Sequence, residues 1–247
     1  DGGFIEYSMR EYENMRTADI VAEELLDWKV DTIFGLPGDG INGFIEALRR
    51  RQDKIKFILV RHEESAAFMA CAYAKYTGKL GACVATSGPG AIHLLNGLYD
   101  AKADNTPVIA ITGSTYSDLM NSSYQQDVNL LQLYSDVTVY NSMIEVPEQA
   151  EMAVDIACRT ALAQRGVSHL TIPIDVQEKK LSGNYSRHNV PYHHTSHAYV
   201  SETIPRRSVI EDAAKILNAG NRVVILVGQG ALGAGEEVLA LAEKLGA

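Results

Sequence analysis

Four ionisable residues, Arg61, His62, Glu63 and Glu64, directly follow an apolar segment, "IKFILV", that is typical of a buried strand. Carboxyl and imidazole groups at the end of a buried strand can move protons or hydrogen-bond to a ligand. The same residues also begin an apolar, helix-like segment, where acidic residues complement the helix dipole. The pattern therefore allows two interpretations, a functional site and a helix start.

Three glycine-rich segments also follow apolar runs. They are "GLPGDG" after "DTIF", "TSGPGAIH" after "ACVA", and "TGSTYSDL" after "PVIAI". Glycine and proline allow close approach of the backbone to a ligand and hold tight turns. Ligands of parallel α/β sheets bind at the carboxyl ends of the strands. One acidic and three glycine-rich loops at such ends together predict a ligand site at this edge of a sheet.

The elements that must position these loops alternate along the chain. Helical spacing of apolar residues occurs in "TADIVAEELLDWKV", "INGFIEALRRR", "EESAAFMACAYAKYTG", "AIHLLNGLYDAKAD" and "VPEQAEMAVDIACRTALAQ". Between them lie the strand-like segments "DTIFG", "IKFILV", "GACVATSG", "PVIAITG" and "SHLTIPIDV". Nearly continuous apolar strands that alternate with helices predict an α/β fold, with a parallel sheet covered by helices on both faces.

The composition predicts four segments. Residues 1–16 form a polar tail, residues 17–180 the α/β domain, and residues 181–205 a polar linker. Residues 206–247 read as helix, strand ("RVVILVG") and helix, the truncated start of a second α/β domain. One such unit cannot cover a sheet, so it either packs on the first domain or belongs to a longer chain.

The acidic balance excludes some partners. The net charge is −9, from 22 basic and 31 acidic residues among 247. This gives no electrostatic footprint for nucleic acid and argues against an anionic membrane surface. No apolar run approaches the roughly 18 residues of a spanning helix, and the N-terminal segment does not look like a signal peptide. Cys71, Cys83 and Cys158 show no CxxC spacing, so we expect buried thiols in a reducing cytoplasm.

Four segments together resemble the N-terminal pyrimidine-binding domain of thiamine-diphosphate enzymes, the pyruvate oxidase and acetolactate synthase family. They are "FGLPGDGINGFIEAL", "VRHEESAAFMACAYAKYTGK", "TSGPGAIHLLNGLYDAKADNTPVIAITG" and "YQQDVN". The resemblance runs from Thr17 to about Val176, and "QRGVSHLTIPIDV" is most similar to the pyruvate oxidase branch. It implies a thiamine-diphosphate-dependent oxidase or synthase that decarboxylates pyruvate or a similar 2-oxo acid.

The resemblance also implies site residues. The family's glutamate, which hydrogen-bonds the cofactor's pyrimidine and favours its imino tautomer, matches Glu63, while Glu64 is expected only to complement the helix dipole. Gln125 matches a glutamine that points at the reaction centre, although a solvated loop is the alternative. Many relatives have Asn where this chain has His93. The cofactor-binding positions are Pro37, Gly38, Glu63, Thr86, Pro89, Gly90 and His93.

The sequence Gly38-Asp39-Gly40 looks like the start of the family's diphosphate and Mg²⁺ motif. That motif requires Asn ligands further along, and the corresponding window, "KIKFILVRHEESAAF", contains none. We therefore interpret it as a turn similar to the family's Pro-Gly-Gly loop, and expect no metal ligand in this chain. The Mg²⁺ and diphosphate ligands would lie elsewhere, so the chain alone is expected to be inactive.

In the family the cofactor lies between two subunits, which implies a homo-oligomer, a dimer or a tetramer. The segment "AIHLLNGLYDAKA" is apolar around much of its circumference, a poor design for a solvated helix. We expect it to face a partner; burial within its own domain is the alternative.

A second glycine pattern, "GQGALG", contains Gly228, Gly230 and Gly233 and fits the dinucleotide fingerprint. It leaves open a nucleotide-binding oxidoreductase, FAD binding as in some family members, or a plain strand-to-helix turn. Four histidines in the linker region, His188, His193, His194 and His197, lack acidic or cysteine partners and are expected to be solvated.

Overall fold

The apolar segments of the first domain form one six-stranded sheet in which all neighbouring strands run parallel. The strands are β1 (Thr32–Gly35), β2 (Lys56–Leu59), β3 (Gly81–Ala85), β4 (Val108–Ser114), β5 (Thr138–Met143) and β6 (Val167–Pro173). Their order across the sheet is β2-β1-β3-β4-β6-β5. β3, β4 and β6 are buried along their whole length, which explains why their sequences are largely apolar.

Helices cover both faces of this sheet, so the predicted fold class is confirmed. They are α1 (Thr17–Asp27), α2 (Asn42–Arg49), α3 (Glu63–Thr77), α4 (Pro89–Ala103), α5 (Leu130–Leu133), α6 (Ala150–Gln164) and α7 (Ile174–Glu178). One hydrophobic core lies beneath α1, α2 and α6, and a second lies beneath α3 and α4. The three cysteines are free and buried, as predicted.

The computed structural model describes residue 12 and residues 14–190 and 203–247. Contacts divide the chain into two compact units, residues 1–200 and 201–247. The second unit contains α8 (Arg207–Ala219) and α9 (Gly235–Leu245), and none of its described residues is buried. Throughout the described ranges, every helix is too short or too polar to cross a membrane.

The strand predicted over "RVVILVG" is wrong, because residues 222–228 form no strand. A strand needs a hydrogen-bonded neighbour, and the described part of the second unit offers none. Val224 and Leu226 are consequently 91% and 98% exposed. Two smaller errors lie in the first domain: β5 was not predicted, and the last predicted strand stops at Pro173, where α7 begins.

The two ends of the first domain lie side by side. Arg16 forms an isolated antiparallel bridge with Lys180. The amide of Thr17 donates to the carbonyl of Lys179 at 2.9 Å. The guanidinium of Arg16 also pairs with Glu178 at 2.6 Å. The chain thus enters and leaves the first domain at one place.

Candidate functional site

The backbone of the loop after β1 lies against the side chain of Thr86 in the loop after β3. The amide of Gly40 donates to Thr86 Oγ1 at 3.0 Å. A Cβ atom at Gly38 would lie 2.5 Å from the Cβ of Thr86, far inside contact distance. Only glycine at position 38 therefore permits this approach. Close packing, and not the binding of a metal ion, explains Gly38 of "GLPGDG".

Glu63 begins α3 and is buried, with 6% of its surface exposed. His62 caps the helix, because its Nδ1 accepts a hydrogen bond from the amide of Glu64 at 3.3 Å. Glu63 Oε2 lies 3.0 Å from His93 Nδ1 on α4. A Cβ at Gly90 would lie 3.1 Å from Glu63 Oε1. Both carboxylate oxygens thus lie against the first two turns of α4.

The rings of His62 and His93 stack, with centroids 4.5 Å apart. Together with Glu63 they offer ligand atoms within 4.8 Å of one another, a grouping that could hold a metal ion. Imidazole with carboxylate suits Zn²⁺ and similar ions, whereas Mg²⁺ prefers oxygen ligands. The expectation that this chain carries no metal ligand therefore stays a prediction. The cluster of His62, Glu63 and His93 is a candidate site for an ion such as Zn²⁺, and it differs in its ligands from the family's Mg²⁺ site.

Glu64, the next residue of α3, is more exposed than Glu63, with 39% of its side chain accessible. Its carboxylate accepts a hydrogen bond from the amide of Asn96, and it lies 3.8 Å from His62 Nδ1. It is therefore kept apart from the buried position of Glu63, in keeping with its expected role at the helix start.

Gln125 lines a cavity of about 100 Å³ that also touches Asp39, Gly40 and Ser87. Its neighbour Gln126 has a left-handed backbone, with φ of 62°, that non-glycine residues rarely adopt. The hydroxyl of Ser87 donates to Gln126 Oε1 at 2.7 Å. The loop of Gln125 is thus fixed against the loop after β3, although Gln125 itself is exposed at the surface.

The sequence reasoning missed Gln177, which is fully buried in α7. Its Nε2 donates to the carbonyls of Gly40 and Ile172 at 2.8 and 2.9 Å, and its Oε1 accepts from the amide of Phe44 at 3.2 Å. Gln177 therefore holds the loop after β1 in place. The available signal was an amide residue directly after the segment "SHLTIPIDV".

The remaining predicted residues lie in other surroundings. Pro37 lines a larger cavity of about 660 Å³ along α2 and β2, and Pro89 is the first residue of α4. A Cβ atom at Gly228, Gly230 or Gly233 would meet no other heavy atom within 4 Å, so these glycines are in open surroundings. They follow no strand, so the context that the dinucleotide fingerprint needs is missing. His193, His194 and His197 lie outside the described residues.

Comparison with known proteins adds the family. Residues 15–133 match the family described as thiamine pyrophosphate enzyme, N-terminal TPP binding domain. The chain is 41% identical over 234 residues to the putative thiamine pyrophosphate-containing protein YdaP of Bacillus subtilis. It is 35% identical over 234 residues to a pyruvate oxidase of Lactiplantibacillus plantarum. It is also 35% identical over 232 residues to a probable acetolactate synthase large subunit of Methanocaldococcus jannaschii.

These alignments cover 94%, 94% and 93% of this chain but only 40%, 38% and 39% of the relatives. The chain therefore spans about two fifths of the length of these relatives. The matched residues include the loops that follow β1, β2 and β3. These loops lead to Glu63 and Thr86. On these grounds residues 15–133 belong to the family of N-terminal TPP-binding domains of thiamine pyrophosphate enzymes.

Proposed function

We propose that the edge around Glu63 binds the aminopyrimidine of thiamine diphosphate. We further propose that the enzyme carrying this domain decarboxylates pyruvate or a similar 2-oxo acid, as an oxidase or a synthase. The observation that supports this most is the buried carboxyl of Glu63 at the carboxyl edge of the sheet, beside the glycine turn of α4.

The residues fit a flat, nitrogen-containing ring. A Cβ at Gly90 would lie 2.7 Å from Thr86 Cγ2 and 3.1 Å from Glu63 Oε1. Because Gly90 has no side chain, its backbone lies close to both residues and leaves the space beside Glu63 free for a ring. Glu63 would hold a proton at a ring nitrogen, and His93 would orient the carboxyl through its 3.0 Å contact. The cofactor, when bound, supplies a nucleophilic carbon that the side chains of this chain lack.

Other residues would hold the diphosphate half of the cofactor. The Mg²⁺ and diphosphate ligands would come from a second subunit, within a homodimer or homotetramer in the cytoplasm. The exposed apolar residues Phe68, Met69, Ile92 and Tyr99 on α3 and α4 support such a contact, with exposed fractions of 38% to 44%. In an oxidase, the second unit would belong to a domain that carries FAD.

The test is Glu63→Gln in the enzyme that carries this domain. Because glutamine cannot exchange the proton, we expect turnover to fall by about 100-fold or more. Thiamine diphosphate should still bind, because its diphosphate is held elsewhere. Turnover assays and cofactor titration measure the two effects.

Glu64→Gln is the matched control, because that carboxylate lies in the same helix turn but is partly exposed and bonded to Asn96. It should change turnover only mildly. A Glu63→Gln enzyme with wild-type turnover would refute the assignment of Glu63.

A further inference from the structure

His62, Glu63 and His93 form a cluster that joins two helices at the carboxyl edge of the sheet. His62 caps α3, Glu63 is the first residue of that helix, and His93 lies in the second turn of α4. Each residue offers one ligand atom, and the three atoms lie within 4.8 Å of one another. Glu63 and His93 are 30 residues apart in sequence, so only the fold brings them together. The packed helices thus hold two imidazoles and one carboxylate close enough to share one ion.

The carboxylate of Glu63 has acceptor positions that its neighbours leave open. Glu63 is 6% exposed, and among the described residues its only hydrogen-bond partner is His93, whose Nδ1 lies 3.0 Å from Oε2. An ionised carboxylate offers about four acceptor sites, and buried polar groups nearly always have partners. Oε1 therefore needs a further partner, which is either a proton donor or a cation.

The spacing of these atoms suits a tetrahedral ion. Zinc bonds to nitrogen and oxygen are about 2.0–2.2 Å long, so neighbouring ligand atoms lie about 3.3 Å apart. Glu63 Oε2 and His93 Nδ1, which are 3.0 Å apart, are close to that spacing. His62 Nδ1 accepts a hydrogen bond from the amide of Glu64, which leaves Nε2 for an ion. The side chain of His62 is half exposed, so its ring can rotate to complete the site.

The ligand types select one class of ion. Imidazole nitrogen and carboxylate oxygen are typical ligands of Zn²⁺, and three protein ligands leave the fourth position for a water molecule. Mg²⁺ prefers oxygen ligands in an octahedral arrangement, which two imidazoles cannot give. The side chains of His62 and His93 are 50% and 45% exposed, so an ion can enter from solvent.

We propose that His62, Glu63 and His93 bind Zn²⁺, with water as the fourth ligand, and that this ion and thiamine diphosphate exclude each other. Binding of the ion does not depend on the proposed function. Mutual exclusion rests on that function, because a carboxylate that ligates zinc cannot also hold a proton at a pyrimidine nitrogen. Zinc therefore inhibits the enzyme that carries this domain by competing with its cofactor.

The binding test is a calorimetric titration of Zn²⁺ into the 247-residue chain at neutral pH, without thiamine diphosphate. The histidines of the linker region are a second source of zinc ligands, so every chain in the test carries asparagine at His188, His193, His194 and His197. We expect one Zn²⁺ per chain, with a Kd of about 10 µM or tighter. Mg²⁺ at the same concentrations should give no binding heat.

Four variants locate the ion. His62→Asn, Glu63→Gln and His93→Asn each remove one ligand and should weaken zinc binding at least about 10-fold, the loss that even an outer partner of a metal site brings. Asparagine at position 62 still caps a helix well. Glu64→Gln is the matched control and should leave the Kd unchanged, because that carboxylate lies 3.8 Å from His62 Nδ1 but is not one of the three ligands. Amide NMR signals away from the cluster show that each variant is folded.

The exclusion test uses the enzyme that carries this domain, with the same four asparagines. Zn²⁺ should raise the concentration of thiamine diphosphate that gives half-maximal turnover, and saturating cofactor should restore full turnover. The His62→Asn enzyme should not show this shift, which separates zinc at the cluster from zinc bound at the Mg²⁺ site.

Absence of zinc binding, or a Kd that His62→Asn and His93→Asn leave unchanged, would overturn the site. A loss of affinity in Glu64→Gln but not in Glu63→Gln would place the ion outside the cluster and overturn it as well. Absence of zinc inhibition, or inhibition that excess thiamine diphosphate does not relieve, would overturn the exclusion. Because the calorimetry contains no thiamine diphosphate, its outcome is independent of the turnover of the Glu63→Gln enzyme. A failed metal site and a failed cofactor site can therefore be told apart.

Discussion

Glu63 and Glu64 are adjacent in sequence, yet they lie in different surroundings. Successive residues of a helix point about 100° apart, so only one of the two carboxyl groups can face the sheet edge. Glu63 lies against His93 and Gly90, and Glu64 accepts a hydrogen bond from the side-chain amide of Asn96, further along α4. At the scale of single residues, the helix start therefore separates a buried acid from a partly exposed one.

Glu24 is a second buried acid, far from the candidate site in sequence. It lies in α1 and accepts a hydrogen bond from Tyr12. Burial raises its pKa to about 7, and the nearby acids Glu151, Asp27 and Asp155 act in the same direction. Since the unfolded value is 4.5, the folded state binds the proton more tightly. Folding stability should therefore fall as the pH rises from 4.5 to 7.

We predict that Glu24→Gln removes this loss of folding stability at high pH. At pH 8 the variant should be more stable by about 3 kcal/mol, because the uncharged amide stays buried without a charge penalty. At pH 4.5 the two proteins should differ little. Urea unfolding, followed by fluorescence of the single tryptophan, Trp28, measures this, because Trp28 is buried in the first domain.

Glu145→Gln, a change at an exposed acid, is the control and should have a similar effect at both pH values. A Glu24→Gln gain of equal size at pH 4.5 and pH 8 would show that Glu24 is not the titrating group.

At the scale of elements, α3 and α4 pack closely enough to bring Glu63 and His93 together. A Cβ at Gly97 of α4 would lie 2.6 Å from the backbone nitrogen of Phe68 and 2.7 Å from the Cβ of Ala67. The first is a backbone atom, which cannot rotate away. The absence of a side chain at Gly97 therefore sets the distance between the two helices.

Gly97→Ala should consequently destabilise the first domain by about 1–3 kcal/mol, as overpacking does. This outweighs the gain of up to about 1 kcal/mol that alanine usually brings to a helix. Urea unfolding monitored by Trp28 fluorescence gives the difference. Gly235→Ala in α9 is the control, because no heavy atom lies within 4 Å of its built Cβ. A Gly97→Ala protein as stable as wild type would show that α3 and α4 can move apart without a loss of folding stability.

Which elements could be predicted depends on where their contacts lie. β3, β4 and β6 are buried along their whole length, so their apolar runs were readable. The edge strand β5, "TVYNSM", mixes polar and apolar residues and gave no such signal. The reverse occurs at residues 222–228, which are apolar but have no partner strand. Propensity alone cannot supply a neighbour.

The residues of the candidate site likewise divide into those that a local sequence pattern predicts and those that depend on contacts between distant segments. Glu63 and Thr86 were identifiable because each directly follows a strand within a recognisable segment. The contacts of Gln177 with Gly40 and of His93 with Glu63 join distant segments. The cavity lined by Asp39 and Thr115 likewise needs several loops to converge. Such contacts depend on the packed sheet, so sequence spacing could not predict them.

At the scale of the whole molecule, α4 divides its apolar residues between two environments. Leu94 and Leu98 are fully buried in their own domain, whereas Ile92 and Tyr99 are 43% and 44% exposed. The alternative that the helix is buried wholly within its own domain therefore does not hold for Ile92 and Tyr99, and the expectation that α4 faces a partner stays a prediction. The exposed residues of α4 remain available for association.

We predict that the chain forms a dimer at micromolar concentration through this surface of α3 and α4, because exposed apolar side chains gain by mutual burial. Ile92→Lys should shift the population to monomer in sedimentation experiments. Val146→Lys changes a similarly exposed residue, 45% accessible, near α6 on the other side of the sheet, and should have no effect. A wild-type chain that sediments as a monomer would contradict the dimer.

The bridge between Arg16 and Lys180 has a consequence for how such a domain is assembled into larger proteins. A domain whose entry and exit points touch is a closed module, which can be inserted into another chain without separating its strands. For the same reason, a few added residues would suffice to join the two points. New ends could then be opened in an exposed turn such as residues 52–54, and the order of the elements would be permuted while the sheet stayed the same.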